Sequence, residues 1–347
     1  MWWWILTVLA VASDEVGRRY SVLPLPTIDY TPETGLAGGV VVLATGHPFT
    51  DARQSVLELE GTLTTQRQRI FTTDLQLFLP SDRLLLSLSA AVMRFPEDFW
   101  GIGPDTAESD RERYTADRVE LRLEPLWGLP RALFIGPSLQ TQRVYNLSPT
   151  PGGLLDGGSI PGSDGGRSVG LGYAAVKEGR AHPVTPAAGE HYAAVRQQWY
   201  RPALGSDHRF SRLSMDGRAY LAAGPGVLAL HGLALFHGGS PPFRMLALLG
   251  GDQITRGYYT GRYRDQHMLA AQVAYRQPLL WRLGVVAFLG VGAVTDQLSS
   301  LSLPAIKPTI GSGLRLRLDE EQGTNLRIDL AFGQDSSGMY FSFGEAF

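Results

Sequence analysis

Residues 250–265, GGDQITRGYYTGRYRD, hold three arginines, three tyrosines and four glycines within sixteen positions. Stretches that alternate apolar and polar residues flank the segment on both sides. A turn between two such strands needs only a few small polar residues, whereas this one is long, basic and aromatic. That composition predicts a loop folded back into a wet interior, with the pair Arg256-Gly257 near its middle. A guanidinium confined there requires carboxylates, because an unpaired desolvated charge is costly.

The other chemistry-bearing residues assemble no catalytic signature. The sequence has no GxSxG elbow, no HExxH and no P-loop. Ser206, Asp207 and His208 are contiguous, while triad roles need separated backbones that converge. Asp296 and the run Asp319-Glu320-Glu321 read as solvated turn carboxylates rather than a cation site, and Gly170-Leu171-Gly172 as a strand glycine pair. Without cysteine there is neither a disulfide framework nor a thiolate metal site. A net charge of −2 gives no support for a nucleic-acid partner. The expectation is a protein that is not an enzyme and carries no cofactor and no metal.

The elements that position the loop follow from hydropathy. The chain is 44% hydrophobic and 18% charged, yet no apolar run approaches the roughly 18 residues of a membrane helix. The nearest, residues 227–236, is interrupted by His231 and Gly232. Period-two alternation explains the profile. Val119, Leu121 and Leu123 oppose Arg118, Glu120, Arg122 and Glu124; Leu326, Ile328, Leu330 and Phe332 oppose Arg327 and Asp329. Charged residues recur on the second face of strand after strand, as a water-filled lumen requires. About sixteen such segments can be read, the first near 35–45, the eleventh at 242–249 and the last at 338–347. In hydrocarbon only helices or a closed barrel satisfy every backbone group. The expected fold is therefore all-β, a sixteen-stranded antiparallel transmembrane β-barrel with a lumen-folded loop between strands 11 and 12.

Residues 1–12 read as a signal peptide, with an apolar block ending Ala10-Val11-Ala12. Residues 13–31 form an N-terminal segment and 32–347 the barrel. Residues 146–165, rich in Gly, Pro and Ser, read as an extracellular excursion. Trp127, Tyr145, Trp199, Tyr200 and Trp281 sit at strand ends, as interface girdles do. The closing stretch alternates and ends on Phe347, the form in which a last strand offers its edge to assembly machinery.

Residues 250–265 resemble the arginine-glycine-aromatic loop of the BamA/TamA outer-membrane family, the bacterial surface-antigen barrels. Pro32-Glu33-Thr34-Gly35, Phe99-Trp100-Gly101-Ile102-Gly103, Gly313-Leu314-Arg315, residues 325–329 and Glu345-Ala346-Phe347 also fit, so the likeness runs from about Tyr20 to Phe347. It is most similar to the subgroup that lacks periplasmic POTRA domains. The resemblance implies sixteen strands and a lumen loop whose arginine is Arg256, carried with Gly257, Tyr258, Tyr259, Arg262, Arg264 and Asp265. The family's acidic partners fall here on Ala274 and Gly290, which cannot pair. A substitute is expected among the lumen-facing Asp329, Glu120, Glu124 and Asp216, with Asp329 first.

The resemblance also implies work at a seam between the first and last strands. Gly35, Gly38 and Gly39 on the expected first strand, with Gly344 and Phe347 on the last, would weaken pairing there, or merely permit curvature. The function so implied is insertion or translocation of polypeptide or lipid across the outer membrane; the alternative is a passive porin. The partners would be outer-membrane lipid, a client β-barrel or translocated polypeptide, and an unidentified periplasmic protein.

Overall fold

Sixteen strands pair in sequence order in this computed structural model, which describes residues 20–31, 35–49, 53–181, 183–318 and 325–347. They are β1 (Tyr20–Thr31), β2 (Gly35–Gly46), β3 (Ser55–Thr64), β4 (Arg69–Phe78), β5 (Leu84–Phe99), β6 (Glu112–Leu129), β7 (Leu133–Ser148), β8 (Gly166–Glu178), β9 (His191–Tyr200), β10 (Phe210–Ala223), β11 (Gly226–Gly239), β14 (His267–Pro278), β15 (Leu283–Thr295), β16 (Lys307–Arg317), β17 (Asn325–Gly333) and β18 (Ser336–Phe343). Two short strands, β12 (Ala247–Leu249) and β13 (Tyr263–Asp265), form a separate hairpin inside the connection from β11 to β14. All ladders are antiparallel, and β1 and β18 lie side by side, so the barrel nearly closes.

The alternation sorts the side chains between two solvents. Along β16 and β17, Ile310, Leu314, Leu330 and Phe332 are exposed outward, where lipid lies, while Arg315, Arg327 and Asp329 are buried inward. The start of β1 shares one end with the close of β18; the two longest loops, 149–165 and 240–266, share the other. In outer-membrane barrels the longer loops are extracellular.

The count of sixteen agrees with expectation, although two assignments differ and offset one another. The strand expected first is the second, because residues 20–31, expected to precede the barrel, form β1 and pair along their length with β2. The eleventh expected strand, 242–249, is not in the wall: it begins with Pro242 and enters the lumen, ending in β12. Two further expectations are corrected by which way side chains point. Tyr200 faces the lumen, stacked on Phe210 at 4.0 Å, while its neighbour Trp199 faces outward. The last strand stops at Phe343, and Gly344, at φ 73°, turns the following residues inward. The signal peptide, residues 13–19, Pro32-Glu33-Thr34 and Asp319-Glu320-Glu321 lie outside the described residues.

Candidate functional site

The connection between β11 and β14 fills the lumen from its extracellular end. Phe243, Leu249, Thr255, Arg256, Tyr258 and Arg264 are all buried, and their partners sit on opposite walls.

One set of anchors reaches β15–β18. Arg256 Nη1 donates to Asp329 Oδ2 on β17, and its guanidinium carbon lies 3.5 Å from the centre of the Phe288 ring. Glycines in β16 shape this seat. A Cβ on Gly313 would stand 2.0 Å from Asp329 Oδ1, and one on Gly311 2.2 Å from Phe288. Asp329 also accepts from Arg315 Nη1 at 2.6 Å, and Arg327 donates to Asp252 in the loop at 2.9 Å. The Gly257 N–H donates to the Tyr340 hydroxyl at 2.9 Å. Gly257 sits at φ 106°, and a Cβ there would meet the backbone of Phe332 and Gly333 at 2.8 Å, so only glycine fits. Tyr258 donates to the Pro308 carbonyl at 3.0 Å and accepts from the Gln334 N–H at 2.7 Å, its ring lying flat over Gly333. Gly333→Val is expected to lift that ring and lower stability by about 1–3 kcal/mol, the usual cost of overpacking, read from the thermal unfolding midpoint.

The second set reaches β5, β6 and the loop between them. Arg244 grips Glu97 with two nitrogens at 2.6 and 2.8 Å and also meets the Tyr114 hydroxyl. Tyr259 packs edge-on against Trp100 at 5.1 Å, and its hydroxyl accepts from the Asp98 N–H at 3.2 Å. Arg262 donates to Thr106 at 2.8 and 2.9 Å. The Arg264 carbonyl accepts from the Gly103 N–H at 2.8 Å, and its guanidinium covers Phe99. Asp265 is buried beside them, opposite Ala247 in the β12–β13 hairpin.

The two cationic anchors are held unequally. Burial alone would lower the Arg244 guanidinium, but Glu97 and Tyr114 raise it overall. Burial pulls Arg256 down to about 10, although Asp329 draws it upward. Its Nε and Nη2 have no hydrogen-bond partner among the described residues. Arg256 is thus charged at neutral pH and depends on a single carboxylate that Arg315 shares.

Among the four candidate partners, the fold brings Asp329 to Arg256 and takes the other three elsewhere. Glu120 pairs with Arg118, Glu124 with Arg196, and Asp216 with Arg218 and His231. These three lie on β6 and β10, whereas Arg256 descends beside β15–β17. Ser206 donates to the His208 carbonyl, an arrangement with no catalytic sense. Arg244 is hidden in the sequence because residues 242–249 read as a wall strand. The signal is Pro241-Pro242, since two consecutive prolines remove ladder donors from both edges of a strand.

The expected seam residues are redistributed. Gly35, Gly38 and Gly39 lie on β2, one strand in from the edge, and β2 is paired on both sides. Gly344 and Phe347 lie beyond β18. Phe347 is buried in the lumen, stacked at 4.9 Å on His231, and its main-chain oxygen accepts from Arg276 at 2.6 Å. The Glu345 N–H donates to the Val184 carbonyl in the β8–β9 connection at 3.0 Å, and its carboxylate accepts from Arg315 at 2.9 Å. Turning inward, these residues cannot extend the last strand's edge.

Residues 164–347, more than half of the chain, match the Omp85 superfamily domain. No curated protein sequence matches the chain. Solved structures similar to it include BamA from Haemophilus ducreyi lacking POTRA domains 1–3, at 13% identity and a TM-score of 0.57, covering 94% of this chain and 70% of that one. CdiB from Acinetobacter baumannii is similar at 11% identity and a TM-score of 0.58, covering 94% and 60%. CdiB from Escherichia coli is similar at 11% identity and a TM-score of 0.57, covering 98% and 69%. At these identities the likeness is one of fold.

Proposed function

This chain belongs to the Omp85 superfamily and resides in the bacterial outer membrane, and from that premise we propose that it inserts or translocates polypeptide through the seam between β1 and β18. The seam is the observation that carries the reading. Every other pair of neighbouring wall strands is joined by a ladder, whereas among the described residues none joins β1 to β18. Residues two apart in a strand point their N–H groups to the same side, so Pro24 and Pro26 remove donors from one edge of β1 only. β1 has twelve residues and β18 eight, so part of the first strand's edge has no counterpart. Unpaired edge groups are a template for an incoming strand. The lumen-filling loop supports assembly work over passive conduction, since a porin keeps its channel open. The barrel is read as non-enzymatic, with membrane lipid and a client chain as its partners.

The chain has no cysteine, so a designed pair forms the only disulfide. One cysteine in β1 and a facing one in β18 should, once oxidised, stop the protein from folding an unfolded outer-membrane barrel into liposomes, and reduction should restore the activity. Equal activity of locked and reduced protein would remove the seam from the mechanism.

A further inference from the structure

An outward-facing groove of about 610 Å³ crosses β3–β7 near the extracellular end, and its lining is divided by chemistry. Its lower part is apolar, with Gly61, Phe71 and Val92 facing lipid. A Cβ on Gly61 would meet nothing within 4 Å among the described residues, so the groove is open above it. Its upper part is basic. Arg69 and Arg94 stand directly opposite one another on β4 and β5, two residues or about 7 Å along the strands from Phe71 and Val92.

Like charges directly opposite across a ladder are destabilising, and the protein compensates this pair weakly. Asp117 lies 3.7 Å from Arg94, whose side chain remains 57% exposed. Among the described residues Arg69 has no ion pair. The exposed Arg143 and Arg167, opposite each other on β7 and β8, continue the basic band around the wall. Near an extracellular rim, cations directly above an apolar groove match a molecule with anionic groups at its head and hydrocarbon below. Basic residues beside a membrane surface attract anionic headgroups.

We propose that this groove binds a phosphate-bearing lipid of the outer leaflet, its phosphate between Arg69 and Arg94 and an acyl chain along Phe71 and Val92 over Gly61. The site lies on the lipid face, apart from the lumen loop and the seam, so it stands independently of the assembly reading.

The full-length barrel in phosphatidylcholine nanodiscs doped with lipid A provides the test, with retained lipid A counted by native mass spectrometry. Arg69→Gln and Arg94→Gln should each reduce retention about fivefold, and the double variant roughly 25-fold. The double lysine variant should keep most of it, and Arg131→Gln in the turn at the opposite end should change nothing. Gly61→Leu, which fills the groove and leaves both arginines, should also reduce retention. Inorganic phosphate should fail to displace the lipid. Wild-type retention by the double glutamine variant or by Gly61→Leu would overturn the proposal, as would displacement by inorganic phosphate alone.

Discussion

Replacing Asp329 with Ala is expected to destabilise the barrel by about 3–5 kcal/mol, the cost of breaking a buried ion pair from one side. Asp329 is fully buried and receives Arg256 and Arg315, with Arg327 4.0 Å away. Removing it strands Arg256, two of whose nitrogens have no hydrogen-bond partner among the described residues, while Arg315 keeps Glu345 and Arg327 keeps Asp252. The loss should appear as a lower unfolding midpoint in urea and faster loss of the heat-modifiable folded form. The cost arises from uncompensated charge rather than from lost attraction, so Arg256→Met combined with Asp329→Leu should recover part of it. A double variant as unstable as the sum of its parts would mean that the two residues act separately. Gly313→Ala provides an independent check, because a methyl there collides with the Asp329 carboxylate.

The second large effect concerns conduction. A sixteen-stranded barrel is wide enough to leave an aqueous channel, and here the connection 240–266 bridges the lumen from Glu97 and Asp98 to Asp329 and Tyr340. Replacing residues 250–265 with a short Gly/Ser turn is expected to convert a barrel that conducts little into one with steady, porin-like conductance in planar bilayers. Arg256→Ala alone should give intermittent openings, since Arg244, Tyr259 and Arg262 still tie the loop to the other wall. Equal conductance of the loop-replaced and native proteins would show that the loop is not what closes the lumen.

The seam illustrates how much of this was legible in residue order. The pattern LPLPT at residues 23–27 reads as a break, because proline donates no ladder hydrogen bond. An edge strand accepts it, yet only the closure of the sheet reveals which strand is the edge. The glycines of β2, expected either to weaken the seam or merely to permit curvature, lie one strand away from it. Residues 242–249 read as wall because their leucines and alanine resemble a strand, although Pro241-Pro242 marks the departure.

The count of sixteen strands rested on two assignments that offset one another, but sequence alone determined the barrel, its lipid and lumen faces, and the loop that had to come inside. These rest on period-two alternation and on the need to satisfy every backbone group in hydrocarbon, and both are local or compositional. It also put Asp329 first among four lumen carboxylates. Tertiary structure decided the rest: that Asp329 meets Arg256 across 73 residues, that Arg244 clamps Glu97 across 147, and that Phe347 turns inward. Alternation states which face a side chain occupies; which strand stands across the lumen from it depends on how the whole sheet closes.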